Sequence, residues 1–340
     1  YNYVLFNHLF YYKMIYMIND FYLIIIIFLI HFILNKNNKI IFNNYFLDIP
    51  NVSRKIHKKP TYLIGGHFIF ISYSVFLLFS FDYSLNHKFV FFFIFSCIFL
   101  IGILDDLKDL KPIVKLGLVL IIYLILINFD NDYLLEKIYF ETFDRNINFG
   151  IYSYPASILC VLLLINAINL IDGINGLAMM IFIIIYLFLW YFLNVTFNTY
   201  IFIFYLFVFF NIFKGKYFLG NSGSLIIGAL IAFSTIKAYN SDFIGNNSAE
   251  DIFILFLIPG IDMLRLFVQR IIKRKNPFEA DGSHLHHHLI KKFSLQKILF
   301  GYFFIIVISS YAAFNDYLPE IIIILVIITI YSLTLYLLNK

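Results

Sequence analysis

Cysteine and charge are both scarce in this chain, and each scarcity removes a class of protein. Only two cysteines occur, Cys97 and Cys160, each inside an apolar run, so neither a disulfide framework nor a thiolate metal centre has a basis. Charged residues make up 13% of the chain against 62% apolar ones, and the mean hydropathy is +0.87. A soluble domain of 340 residues could not cover so much apolar surface, which leaves a membrane protein. The net charge of +5 is too small to speak for a nucleic-acid partner. No internal repeat, no separate soluble domain and no small-residue cleavage site after the first apolar run is visible. The 44 Phe and 26 Tyr accompany heavy use of Ile, Asn and Lys, as A/T-rich coding would produce, and carry no functional meaning alone.

What is present is a series of apolar stretches, at about 17–34, 66–81, 89–104, 113–129, 153–171, 176–193, 198–213, 221–238, 252–270, 296–314 and 319–338. They predict an all-α polytopic membrane protein with eleven transmembrane helices. The chain opens on Tyr1, with Met14 and Met17 before the first stretch. Residues 1–13 therefore read as an upstream extension or a fragment edge, and 14–340 as one transmembrane catalytic domain. With the N-terminus outside and the C-terminus cytoplasmic, the inner segments and adjoining helix ends hold 19 of the 25 basic residues, as the positive-inside rule requires. The outer loops are acidic instead, with Asp130, Asp132, Glu136, Glu141, Asp144, Asp242, Glu250 and Asp251.

Four polar clusters fall on the inner side. In Gly102-Ile-Leu-Asp105-Asp106-Leu-Lys108, adjacent carboxylates end a helix, where the macrodipole disfavours acids and a hard cation such as Mg²⁺ would compensate them. Simple solvation, or capping of the next helix, is the alternative. In Asn166-Ala-Ile-Asn169-Leu-Ile-Asp172-Gly173-Ile-Asn175-Gly176, a Gly/Asn turn joins two spans and can cradle an anion or nucleotide; it also serves as an ordinary connection. In Asn211-Ile-Phe-Lys214 through Gly220-Asn221-Ser222-Gly223-Ser224, small residues open a helix whose inward N-terminus suits a phosphate, or else simply pack against neighbours. The last, from Asp262 and Arg265 to His284-Leu-His286-His287-His288, places four of the nine histidines within five residues. Such a set suits a diphosphate or proton movement better than zinc, which lacks a Cys or a spaced third ligand. A further loop with Arg54, His57, Lys58, Lys59, Gly65 and Gly66 reads as a positive-inside cluster before the second span.

Order and shared side tie these clusters together. GILDDLKDLKP, NAINLIDGINGLA and NPFEADGSHLHHH, across roughly residues 50–295, resemble the polyprenyl-phosphate N-acetylhexosamine-1-phosphate transferase family, and its N-acetylglucosaminyl branch more than its muramoyl-pentapeptide branch. The resemblance implies a glycosyl-1-phosphate transferase that moves an amino-sugar 1-phosphate from a UDP-HexNAc, foremost UDP-GlcNAc, to undecaprenyl phosphate with release of UMP. It implies a multi-pass protein of the bacterial cytoplasmic membrane, with its active site on the cytoplasmic face, that starts lipid-linked cell-envelope glycan synthesis. By the same carry-over, Asp105, Asp106 and Asp172 would be catalytic and hold Mg²⁺ (or Mn²⁺), and His284, His286 and His287 would contact the sugar diphosphate. Asn169, Asn175, Asn211, Lys115, Arg265, Ser222 and Gly223 would serve substrate binding. Asn221 stands where the family usually has a metal-binding Asp, so its amide would be a weaker fourth ligand. The expected partners are the polyprenyl phosphate, the UDP-amino sugar and the bilayer, with a homodimer as one form of assembly. An intramembrane prenyltransferase would need a second Asp-rich repeat, a transporter would need charges in mid-span, and a weakened lipid-phosphate-binding homologue is the reading Asn221 invites.

Overall fold

The computed structural model describes residues 22–42, 45–50, 59–80, 83–195, 198–241, 248–276 and 282–339. Residues 1–13, Arg54, His57 and Lys58, and the Pro277–Asp281 part of the histidine loop, lie outside the described residues. Each expected apolar stretch coincides with a helix: α1 (Tyr22–Lys36), then, after the short α2 (Asn38–Phe42), α3 (Gly65–Phe79), α4 (Leu85–Lys108) and α5 (Pro112–Phe129). The series continues with α6 (Ser153–Ile171), α7 (Leu177–Leu193), α8 (Thr199–Phe213), α9 (Gly220–Ser241) and α10 (Ala249–Ile272). After an amphipathic α11 (Leu285–Lys292) come α12 (Leu295–Ala313) and α13 (Glu320–Asn339). Among the described residues, six helices are long and apolar enough to cross a membrane: α4, α5, α6, α9, α12 and α13. The outward faces of α12 and α13 leave Phe300, Phe304, Ile308, Ile321, Leu325 and Leu333 exposed. So large an unshielded apolar surface needs lipid as its solvent, and the protein is an all-α membrane protein.

Local chemistry sets the helix ends. Ser84 caps α4 by accepting from the His87 N–H, and Asp109 ends it in the left-handed region at φ 51°. Pro112 starts α5, where its missing N–H costs nothing. Asn198 accepts from the N–H groups of Tyr200 and Ile201 at the start of α8, and Ser248 and Asp251 form a reciprocal capping box on α10.

Helix α9 is the hub. It packs against α3, α4, α6 and α7, and 83% of its most apolar stretch is buried, against 17% for α13. Small residues make this close approach possible. A Cβ on Gly66 would sit 2.3 Å from the backbone N of Gly223, and one on Gly102 would sit 2.3 Å from the Cα of Ser222. At the same end of α9 the backbone is stitched together. A two-residue strand, β1 (Leu47–Asp48), pairs antiparallel with β2 (Thr61–Tyr62). The Phe218 N–H donates to Tyr62 O, and the N–H groups of Gly65 and Gly66 donate to Phe218 O and Leu219 O. At the opposite end, β3 (Lys137–Phe140) and β4 (Arg145–Asn148) form an antiparallel hairpin between α5 and α6, where the sequence suggested only an acidic loop.

Candidate functional site

Asp106 lies in the last turn of α4, and its two oxygens accept from the N–H groups of Asn221 (2.7 Å) and Ser222 (3.1 Å). These are among the N–H groups that a helix start leaves without an intrahelical partner, so a carboxylate on α4 caps the positive end of α9. The sequence suggested a substrate phosphate at that N-terminus; in the structure these two N–H groups donate to Asp106. Gly220 adopts φ +76°, and a Cβ there would come within 3.0 Å of Asp106 Oδ2. The turn thus needs glycine for conformation and for space.

Asp105, one residue earlier, is rotated about 100° around the helix and serves another partner. Its Oδ1 accepts from the Leu110 N–H at 2.9 Å and its Oδ2 from Lys115 Nζ at 2.8 Å. With side-chain exposures of 3% and 12%, Asp105 and Lys115 form a buried ion pair between α4 and α5. Neither lines the cavity that Asp106 faces.

That cavity, of about 510 Å³, is walled by Asp106, Asp172, Gly173, Asn175, Gly220 and Asn221, with Asp48 at its rim. Asp172 closes α6, and its carboxyl is pushed well above the usual range, first by loss of water and then by the charge of Asp106. Two carboxylates, with no cationic side chain paired to either among the described residues, make a hard-oxygen donor set. Asp106, Asp172 and the Asn221 amide are the groups that could hold a divalent cation, and each Asp106 oxygen keeps a lone pair beyond its N–H bond. Asn169 stands behind them, its side-chain oxygen accepting from Ser224 Oγ at 2.8 Å. Asn211 is buried and donates to Phe207 O, while Ser222 and Gly223 are buried in the α3–α9 contact. None of these four lines the cavity.

The histidines reach the same loop from α11. His286 is fully buried, and a Cβ on Gly173 would lie 2.1 Å from its Nε2. Its ring stacks on His284 (5.5 Å between centroids) and meets the tilted ring of His287 (4.4 Å). Burial, and then the neighbouring His287 and His284, lower His286 to about 3, so its imidazole is neutral at ordinary pH. Burial lowers His287 as well. His284 is held by Asp262 on α10, with Nδ1 and Oδ2 2.8 Å apart.

Asp262 is a hub that sequence reasoning did not resolve. Its Oδ1 accepts from Arg265 Nη2 (2.9 Å) and Tyr331 OH (2.6 Å), and Tyr331 OH accepts from Arg265 Nε (2.6 Å). Arg265 is therefore engaged by Asp262, Tyr331 and Ser283 O, while also forming a wall of a 230 Å³ basic cavity with Arg270, Lys273, Lys275 and His288. Tyr331 is one of 26 tyrosines and sits in an otherwise apolar helix, so no sequence signal marked it. Asp262→Ala is expected to lower stability by ~3–5 kcal/mol, because Arg265 keeps a half-buried charge without its carboxylate. Thermal melts of the full chain check this; an unchanged midpoint would refute the hub.

The comparisons with known proteins give the family. The model described as Glycosyl transferase family 4 matches residues 88–239, from α4 to α9. An undecaprenyl-phosphate alpha-N-acetylglucosaminyl 1-phosphate transferase of Thermotoga maritima is 30% identical over 271 residues, covering 79% of this chain and 80% of that protein. Proteins of the same name from Escherichia coli O157:H7 and Haemophilus influenzae are each 26% identical, with 72% of this chain covered and 69% and 72% of theirs. The resemblance read from the motifs is borne out at this level, and the chain belongs to glycosyl transferase family 4.

Proposed function

We propose that the protein transfers N-acetylglucosamine 1-phosphate from UDP-GlcNAc to undecaprenyl phosphate and releases UMP. The observation that carries this reading is the meeting of Asp106 and Asp172 in one cavity beside the histidine helix. The names of the related proteins supply the substrates. An oxygen of the lipid phosphate attacks the phosphorus that bears the sugar, and the P–O bond to UMP breaks. Both reactants are anions, so the site must screen their repulsion and neutralise charge in the transition state. A Mg²⁺ ion held by Asp106, Asp172 and Asn221 would supply that screening. Asp106, fixed by two N–H bonds, keeps a carboxylate at the cavity wall without side-chain searching. His286 and His287, packed on Gly173, orient the Asp172 loop, and a neutral imidazole there can donate its one N–H to a phosphate oxygen. The basic cavity lined by Arg270, Lys273 and His288 is suited to the nucleotide diphosphate.

In this reading all eleven apolar helices span the bacterial inner membrane, with the N-terminus outside and the Asp106 cavity facing the cytoplasm. There a nucleotide sugar from solution meets a lipid phosphate at the membrane surface. Membranes containing the full chain should release labelled UMP from UDP-GlcNAc only with undecaprenyl phosphate and Mg²⁺ present. EDTA should stop release and Mg²⁺ or Mn²⁺ restore it. No UMP release from any UDP-HexNAc would sink the proposal.

A further inference from the structure

A second cluster of acids lies at the other end of the bundle. Helix α5 starts beside Asp105, with which Lys115 pairs, and leads away to the β3–β4 hairpin, whose tip carries Glu141; α12 likewise leads from Leu295 at the cavity to the turn that holds Asp316, and Glu320 opens α13 after it. One carboxylate oxygen from each of Glu141, Asp316 and Glu320 lies within 4.8 Å of the other two. Glu320 is only 5% exposed, and its carboxylate makes no hydrogen bond or ion pair with any described residue. Asp251, 1% exposed, faces the charges of Glu320 and Asp316. Its Oδ2 accepts from the N–H and OH of Ser248, but its Oδ1 is buried without a partner.

A buried carboxylate left this way is costly unless something positive meets it. Glu250 belongs to the hairpin instead, its two oxygens accepting from the N–H groups of Glu141 (3.2 Å) and Thr142 (3.3 Å) and so holding the tip against α10. Glu141 is pushed up to about 7 by loss of water and then by Asp316, Glu320, Asp251 and Glu250. No cationic side chain pairs with Glu141, Asp316 or Glu320 among the described residues.

We propose that Glu141, Asp316 and Glu320 bind one divalent cation of calcium size, which ties the β3–β4 hairpin to the α12–α13 turn. Calcium takes oxygen ligands at about 2.3–2.6 Å in a flexible geometry, so one ion can bridge three carboxylate oxygens that all lie within 4.8 Å of one another. Magnesium needs a tighter octahedron at about 2.0–2.1 Å and keeps its waters, so it fits three carboxylates from three separate segments less well. Asp251 adds negative charge behind Glu320 and strengthens the preference for a cation over a proton. The site is independent of the transfer reaction and acts on the stability of the end opposite the Asp106 cavity.

The test uses the full chain in detergent, stripped with EDTA and titrated with CaCl₂ while calcium binding and the thermal midpoint are followed. Wild type should bind one Ca²⁺ at this site and gain ~3–5 °C at saturation. Glu320→Gln keeps the shape but removes one charge. It should melt above wild type in EDTA, where repulsion is relieved, and below wild type in saturating Ca²⁺. Asp106→Asn, which alters the other acidic cavity, should keep the calcium-dependent gain. An equal gain in Glu320→Gln and wild type would overturn the proposal, as would absence of calcium binding by wild type or loss of the gain in Asp106→Asn alone.

Discussion

Asp106→Asn should lower the rate of UMP release by about 10³-fold or more, the larger part of it in kcat. The residue combines two roles that the amide cannot fill together. As a carboxylate it accepts one N–H on each oxygen, from Asn221 and Ser222; an amide offers one oxygen and turns an NH₂ toward the other N–H. Leaving that N–H facing a donor costs ~1–3 kcal/mol of stability. The same change removes one of the two carboxyl groups from the cavity that it shares with Asp172. Removing a single preorganised electrostatic group from an active site costs ~10²–10³ in rate, and here the loss of a charge and the loosening of the α9 start add to one another. Asp106→Asn with near-normal kcat would refute the site.

Asp105 should behave differently although it is the adjacent residue. Asp105→Ala leaves Lys115 buried without its partner and should cost ~3–5 kcal/mol. Asp105→Leu combined with Lys115→Met removes both charges and should recover most of the stability and a substantial part of the turnover. A double variant that is stable yet inactive would return Asp105 to the role of ligand that the motif resemblance gave it. Melting curves and UMP release on the same preparations separate the two outcomes.

The contrast between these two acids shows where sequence stops being informative. Every apolar stretch marked a helix, because a segment shielded from water must satisfy its own backbone hydrogen bonds. Apolarity did not say which helix is central. Helices α9 and α13 are both apolar, yet one is wrapped by neighbours and the other faces outward. The distinguishing signal is the Gly-Asn-Ser-Gly-Ser start of α9 and its Gly228 and Ala229, small residues that let backbones approach. At the site, motif order gathered Asp106, Asp172 and Asn175 onto one cavity and set His286 and His287 against its Gly173, because each motif sits at a helix end and helix ends in a bundle share a plane. It could not divide Asp105 from Asp106, since rotation around α4 depends on tertiary partners such as Leu110 and Lys115. Nor could it find Tyr331, whose bond to Asp262 spans 69 residues.

Gly102→Ala and Gly66→Ala should each be severe although each adds one methyl group. On Gly102 the new Cβ would lie 2.3 Å from Ser222 Cα and 2.7 Å from Ser222 N; on Gly66 it would lie 2.3 Å from Gly223 N. All three obstacles are backbone, so no rotamer change can make room and the start of α9 must move away from α3 or α4. Overpacking of this kind costs ~1–3 kcal/mol, a fall of ~2–10 °C in the thermal midpoint. The functional loss should exceed that, because Ser222 is the residue displaced and its N–H is one of the two that hold Asp106. Gly102 lies one helical turn before Asp106 on the same face of α4, so the strain and the carboxylate act on the same point of α9. Gly117→Ala and Gly301→Ala are the matched controls, within α5 and α12, since a Cβ at either meets nothing within 4 Å. Those two should be neutral or gain up to ~1 kcal/mol from better helix propensity. UMP release and thermal midpoints for the four variants should fall into two separate pairs. If Gly102→Ala matches Gly117→Ala in both measurements, α9 does not seat against α4 in this way and the cap on its N-terminus by Asp106 loses its structural basis.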